Sequence, residues 1–238
     1  MNGASDTSVP FRIGWRAAIG FVAYALLSAV ALFSAAGTLR WAWGWVYIGL
    51  CLAVTLASRL IVLRTSPDLL QERARFVQSE GVKPWDRWLM PLVGLVGPVS
   101  LALVTGLDHR FGWSPVLPAW LPWAGLVLVV LGYAWATWAL AVNRFFSAVV
   151  RIQSERGHVV IDTGPYRWMR HPGYAGGALS YLAAPLLLGA LWALVPAALT
   201  VVGLVARTAL EDRTLHQELL GYADYARRVR FRLLPGLW

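Results

Sequence analysis

Gly164-Pro165-Tyr166-Arg167-Trp168-Met169-Arg170-His171-Pro172-Gly173-Tyr174 opens an apolar segment that continues without a charge to Ala206. The stretch sets two Gly/Pro breaks, a histidine, two tyrosines and two arginines at the mouth of what reads as a membrane helix, where ionisable residues are costly and mark a site. The segment from Tyr174 to Ala206 is too long for one membrane helix of about twenty residues and only just long enough for two. Gly189 and Pro196 fall near its middle, which predicts a tight helical hairpin with two short arms. Just past its far end, Arg207 and Glu211 stand one helical turn apart. They can face the tyrosine-rich entrance only if the chain enters the membrane and returns.

The whole chain agrees with a membrane setting. Its 238 residues are 58% hydrophobic and 14% charged, against about 25% charged residues in soluble domains, and the mean hydropathy is +0.57. Fourteen tryptophans suit the membrane–water interface. The net charge of +9 comes from arginines in short loops between apolar runs, which excludes nucleic acid as the natural partner. Cys51 is the single cysteine and lies in an apolar run, so an intrachain disulfide and a cysteine-built zinc site are both excluded.

Four further segments have the length of a span: Ala17–Ala36, Trp43–Leu63, Trp88–Leu107 and Leu121–Val142. With the hairpin they make an all-α integral membrane protein of about six transmembrane helices. The first, preceded by a polar stretch through Pro10 and by Arg12 and Arg16, reads as an uncleaved span. Arg64, Arg73, Arg75, Lys83 and Arg87 share one loop; Arg144, Arg151, Arg156, Arg167 and Arg170 share another; Arg213, Arg227, Arg228, Arg230 and Arg232 lie in the tail. The opposite side receives Arg40 and Arg110. The basic loops and both termini are therefore expected in the cytoplasm, which fits a bacterial plasma membrane and, nearly as well, an endoplasmic-reticulum membrane.

Residues 1–142 read as a scaffold of four spans, with an interfacial loop helix over 66–80. Ser66-Pro67-Asp68 supplies an N-cap, a first-turn proline and a first-turn acid, and Leu69, Leu70, Phe76 and Val77 form its expected apolar face. Residues 143–238 hold the polar groups. Leu215, Leu219, Tyr222, Tyr225 and Val229 recur at helical spacing and predict a C-terminal surface helix, bent near Gly221 and stopped by Pro235.

The sequence has no Gly-x-Gly-x-x-Gly, Walker loop or His-Glu-x-x-His, and no Gly-x-Ser-x-Gly elbow. His158-Val159-Val160-Ile161 predicts an extended strip before the turn at Asp162-Thr163-Gly164; such backbone offers N–H and C=O groups to a planar ring edge. Pro172 denies helical geometry to His171 and starts the next helix, whose N-terminus can receive a carboxylate. Arg207 and Glu211 share a helix face, in the weaker order for a stabilising pair; together they suit an anion and an amine.

These elements, in order, resemble the isoprenylcysteine carboxyl methyltransferase family, which shares a wider superfamily with membrane phospholipid N-methyltransferases. The resemblance rests on His158-x5-Gly164-x-Tyr166, Arg170-His171-Pro172-x-Tyr174, Arg207-x3-Glu211-Asp212-x2-Leu215, Gly221-x3-Tyr225-x3-Val229 and Leu234-Pro235. It covers roughly residues 143 to 238, with weaker similarity in the Ser66–Arg75 loop. It implies S-adenosyl-L-methionine bound in a cytoplasm-facing pocket closed by the C-terminal helix. The implied cofactor contacts are Arg151, His158, Val159, Val160, Ile161, Tyr166, His171, Pro172, Gly173, Tyr174 and Glu211. Arg151 stands where some relatives carry glutamine. The resemblance further implies that Arg207 faces the methyl acceptor, with Arg207 and Glu211 as the catalytic pair and no metal. The expected reaction is carboxyl O-methylation of a lipophilic, isoprenylcysteine-like acceptor arriving from the bilayer. A phospholipid amine or a thiol acceptor is the alternative within the superfamily, and a non-catalytic transporter or assembly factor the alternative outside it.

Overall fold

The computed structural model describes residues 15–238. The polar stretch through Pro10, with Arg12, lies outside the described residues, as does the side chain of Arg16. The described chain is all helical: α1 (Trp15–Ala36), α2 (Ala42–Thr65), α3 (Pro67–Ala74), α4 (Asp86–Pro91), α5 (Gly97–Phe111), α6 (Leu121–Val142), α7 (Pro172–Leu188), α8 (Leu194–Glu218) and α9 (Tyr222–Arg228). Four helical runs are long and apolar enough to cross a membrane: Ala42–Thr65, Asp86–Phe111, Leu121–Val142 and Leu191–Glu218. Leu52, Leu56 and Leu60 on α2 are exposed, the arrangement of a helix whose outer face meets lipid rather than water. The chain is a multi-pass membrane protein.

Lipid removes the hydrophobic drive for helices to associate, so close backbone contact has to hold the bundle together. Glycines supply it. A Cβ on Gly132 of α6 would come within 2.6 Å of the Gly176 carbonyl oxygen on α7, and one on Gly125 within 2.3 Å of the Leu187 nitrogen. Gly106 of α5 approaches α1 in the same way, 2.4 Å from the Leu32 carbonyl oxygen. Between α4 and α5 the chain makes a π turn over Leu92–Val96. Pro98 brings no N–H to this turn, and the Val93 carbonyl accepts instead from the Tyr181 hydroxyl at 3.1 Å.

The loops gather at two ends. At one end, the buried Asp108 accepts hydrogen bonds from Ser114 Oγ (2.6 Å) and from the Trp192 backbone N–H (3.2 Å), and His109 stacks on Trp41. The chain reverses there at Gly189 (φ 68°). The arms that follow and precede this turn are unequal: α7 has 17 residues and α8 has 25. The other end collects the loop 66–86, the loop 143–171 and the tail.

One expectation changes. The loop helix ends at Ala74, and Phe76–Gln78 is a separate 3-10 turn. Leu69 and Leu70 are buried, while Val77 is 81% exposed and belongs to no shared apolar face. The strip His158–Ile161 pairs with no strand, and the described residues contain none. The C-terminal helical stretch breaks at Gly221 (φ 83°), and the short α9 beyond it exposes Ala223, Asp224, Arg227 and Arg228 while Tyr222 and Tyr225 are buried with Leu219 and Val229. Aromatic faces covered by protein are worth more there than on a wet interface.

Because the Gly176 carbonyl is fixed backbone, Gly132→Ala should push α6 from α7 and destabilise the bundle by about 1–3 kcal/mol. Gly177→Ala, whose Cβ meets nothing within 4 Å, should not. Thermal unfolding of both variants in one detergent checks this; equal midpoints would remove the close-approach account.

Candidate functional site

The loop 143–171 is held to the bundle by aromatic stacking and by a buried acid. Trp168 packs on Trp135 and Trp138 of α6, with centroids 5.8 and 5.7 Å away. Gly164 takes φ 55° where a Cβ would stand 3.0 Å from Val142. Asp86, fully buried at the start of α4, accepts from the Val150 N–H at 2.6 Å, and the Lys83 N–H donates to the Val150 carbonyl at 3.0 Å. Gln153 Nε2 donates to the Phe145 carbonyl at 2.8 Å. These bonds fold the loop into a cup beneath the start of α7.

A partly open cavity lies in that cup. It is lined by Arg151, His158, Val159, Val160, Ile161, Tyr166, His171, Gly173, Tyr174 and Glu211 among the residues singled out from sequence; Pro172 is buried but does not line it. Phe145, Phe146 and Asn143 add to the wall from the loop, and Leu215, Leu219, Tyr222 and Tyr225 from the C-terminal segment.

The polar groups here are mutually arranged. Tyr174 donates its hydroxyl to Glu211 at 2.6 Å. Tyr166 accepts from Asn143 Nδ2 at 3.1 Å; burial raises its pKa, so it keeps its proton. His158 stacks on Phe145 at 4.6 Å and accepts the Gln153 N–H on Nδ1. Burial first, then Arg156 and Arg151, lower its pKa to about 4, so the ring is neutral with its proton on Nε2. Burial works against the charge on Arg151, but hydrogen bonds to Glu72 (3.0 and 2.9 Å) and Glu155 (2.6 Å) outweigh it and raise its pKa.

Arg207 and Glu211 stand one turn apart on α8. They form no ion pair and face different spaces. Arg207 makes a two-pronged contact with Asp86, Nε to Oδ1 at 2.6 Å and Nη2 to Oδ2 at 3.0 Å, and its Nη2 also donates to the Ala148 carbonyl at 2.8 Å. Arg207 lines a second, more open cavity, shared with Val54, Arg73, Met90, Val93, Ala136 and Leu140. Tyr174, Phe146 and Ser147 line both cavities, so they form the partition. The Arg207 guanidinium lies 5.4 Å from the centre of the Tyr174 ring.

Sequence reasoning missed two carboxylates. Asp86 is one; the other is Asp212, 1% exposed, which receives Arg170 (2.7 and 3.0 Å), the Tyr222 hydroxyl (2.8 Å) and Arg232 (2.8 Å), with His171 Nε2 at 3.3 Å. Arg170 also donates to the Val229 and Arg230 carbonyls, so the arginine that opens the motif clasps the tail rather than a ligand. An acid entering an apolar span, as Asp86 does, is as costly as an arginine, and that was the available signal.

Residues 124–217 match the model of the isoprenylcysteine carboxyl methyltransferase (ICMT) family. Over 80 residues the chain is 35% identical to the probable protein-S-isoprenylcysteine O-methyltransferases of Oryza sativa subsp. indica and subsp. japonica, a stretch that covers 33% of this chain and 42% of theirs. Over 53 residues it is 42% identical to the protein-S-isoprenylcysteine O-methyltransferase of Saccharomyces cerevisiae, covering 22% of each chain. The chain thus matches less than half the length of these relatives. The matched stretch runs from within α6 to near the end of α8 and carries Arg170 to Tyr174 and Arg207 to Asp212, so over these residues the chain is similar to the isoprenylcysteine carboxyl methyltransferase family.

Proposed function

We propose that this protein is an integral-membrane methyltransferase that binds S-adenosyl-L-methionine in the first cavity and methylates the carboxylate of a lipophilic, isoprenylcysteine-like acceptor held in the second. The observation that carries the reading is the convergence of His158–Ile161, Tyr166, His171, Gly173, Tyr174 and Glu211 on one cavity, with Tyr174 also in the wall of its neighbour. The names of the rice and yeast relatives support the acceptor class.

The donor set suits the cofactor. Glu211, oriented by the Tyr174 hydroxyl, meets the methionyl ammonium, and the Gly173 N–H in the first turn of α7 meets the methionyl carboxylate. The backbone of His158–Ile161 offers donors and acceptors to the adenine edge. Tyr174 already carries Arg207 on its ring, which leaves Tyr166 as the tyrosine for a cation–π contact of about 0.5–2 kcal/mol with a sulfonium. When bound, S-adenosyl-L-methionine supplies an electrophilic methyl group on that sulfonium.

The protein's part is alignment. Holding nucleophile and methyl on one axis is worth up to about 7–11 kcal/mol in the best cases. A carboxylate is ionised at neutral pH, so no side chain has to remove a proton. That agrees with the two histidines, since His171 is turned to Asp212 and His158 to a backbone N–H. Arg207, held by Asp86 through Nε and Nη2, keeps Nη1 for the acceptor.

In the membrane, the spans are α1, α2, α4 with α5, α6, α7 and α8, with α7 and α8 as the hairpin and the basic loops and termini in the cytoplasm. The acceptor enters sideways from the bilayer, and the C-terminal segment closes the cofactor cavity. Tyr225 donates to the Tyr166 carbonyl at 2.8 Å, Arg228 pairs with Asp162 at 3.0 Å, and Asp212 ties α8 to α9 and the tail.

Isothermal titration with S-adenosyl-L-methionine tests the reading directly; a wild-type protein that gives no binding overturns it. Glu211→Gln should weaken binding about tenfold or more, the ~1.5–3 kcal/mol of a charge-assisted hydrogen bond, and Tyr174→Phe by less. With labelled cofactor and N-acetyl-S-farnesylcysteine, the transferred label should be released by base, as a methyl ester requires. For closure, Asp212→Asn leaves buried arginines without their anion and should cost about 3–5 kcal/mol. It should lower both the unfolding midpoint and the cofactor affinity; unchanged values for both would remove the closing role of the C-terminal segment.

A further inference from the structure

The acceptor cavity holds two arginines, and they are in opposite electrostatic states. Arg207 has its charge answered by the buried Asp86. Arg73, on α3, lines the same cavity and donates Nη1 to the Phe146 carbonyl at 2.9 Å, with its guanidinium 5.8 Å from the centre of the Phe146 ring. Among the described residues no carboxylate stands within ion-pair distance of it. The acids of its own helix are engaged elsewhere: Asp68 with Arg144 (3.1 Å) and Arg156 (2.6 Å), Glu72 with Arg151 (2.9 Å).

We propose that Arg73 is the residue that recognises the acceptor's carboxylate, acting beside Arg207, and that it selects an anionic lipophilic acceptor over its uncharged ester. The inference rests on the reading of the second cavity as the acceptor site and names the group that sets its charge preference. Three observations carry it. Phe146, which receives the Arg73 hydrogen bond, belongs to the partition between the two cavities, so an oxyanion on Arg73 lies near the cofactor side. Much of the remaining wall is apolar, with Val54, Val93, Ala136, Leu140 and Met90 beside the hydroxyl-bearing Thr55, Ser58, Tyr133 and Thr137, which suits a hydrocarbon tail. The charge itself lacks compensation: burial first, then Arg59 and Arg207, lower the pKa of Arg73 to about 10. The side chain is still a cation at neutral pH, and a bound anion relieves the strain of keeping it so. The same uncompensated cation repels an ammonium acceptor.

The test is equilibrium binding without cofactor, by isothermal titration of the full chain in detergent with N-acetyl-S-farnesylcysteine and with its methyl ester. The wild type should bind the acid about tenfold more tightly than the ester, and Arg73→Gln should bind the two alike. Arg73→Lys should restore much of the preference, which a merely structural contact to Phe146 would not explain. Equal binding of acid and ester by the wild type overturns the proposal, as does a preference that survives in Arg73→Gln. Dihexanoyl phosphatidylethanolamine serves as the phosphate-bearing arm; if it displaces the acid and binds more tightly, the anion recognised is a phosphodiester and the carboxylate assignment falls. S-adenosyl-L-methionine is titrated separately into both variants and should bind within twofold of the wild type. Retained cofactor binding with no acid preference sinks the Arg73 assignment alone, whereas absent cofactor binding in the wild type sinks the functional reading and leaves the acid–ester comparison to decide Arg73.

Discussion

The site is assembled around the buried carboxylate of Asp212. Taking a carboxylate out of water costs several kcal/mol, which only good geometry and full hydrogen bonding offset. Asp212 meets that condition with both oxygens: Arg170 spans them, Tyr222 and His171 reach Oδ1, and Arg232 reaches Oδ2. The donors come from the loop before α7, from α9 and from the tail. Backbone bonds from Arg170 N–H to the Phe231 carbonyl and from His171 N–H to the Arg232 carbonyl, both 2.9 Å, run beside the carboxylate. Stretches 60 residues apart in the chain become one wall because a single anion needs all of them.

Asp86 does the same on the other side of α8. It binds the Val150 N–H and fixes Arg207 in a two-pronged contact. Along a helix, successive residues turn by about 100°, so positions four apart differ by about 40° and positions five apart by about 140°. Arg207, Glu211 and Asp212 therefore point in three directions from little more than one turn. Arg207 faces the second cavity, Glu211 the first, and Asp212 the clamp. The modest angle between Arg207 and Glu211 is filled by Tyr174, which bonds one through its hydroxyl and carries the other over its ring.

The helices could be read from sequence because a run of twenty uncharged residues has few other fates; Leu121–Val142 forms with the expected ends. The grouping of Tyr166, His171, Tyr174 and Glu211 could be read because Pro172 and the flanking glycines disclose where a helix must begin. Ion-pair partners could not. Arg207 looks like a local pair with Glu211 at i,i+4, yet an exposed pair of that kind is worth only about 0.3–0.5 kcal/mol, and a buried two-pronged contact with Asp86, 121 positions away, takes precedence. The contacts of the tail are beyond sequence for a related reason: helical spacing puts the tyrosines on one face but does not say which surface offers Tyr222 and Tyr225 both apolar cover and hydroxyl partners.

Of the carboxylates and guanidiniums that line the two cavities, two have no ion pair among the described residues. Asp86 is matched with Arg207, Glu72 with Arg151, and Asp212 with Arg170 and Arg232. Glu211, with the Tyr174 hydroxyl as its hydrogen-bond partner, is an anion without an ion pair in the first cavity; Arg73 is a cation without one in the second. Charges in water-poor surroundings interact more strongly than charges in bulk solvent, so each cavity prefers the opposite sign of ligand. A positively charged methyl donor on the Glu211 side and a negatively charged acceptor on the Arg73 side would neutralise both. Methyl transfer to a carboxylate then consumes the two ligand charges together, the sulfonium becoming a thioether and the carboxylate an ester. The ester loses its attraction to Arg73, whereas the methionyl ammonium that Glu211 meets is unchanged by the transfer, so the lost charge favours release of the methylated acceptor first.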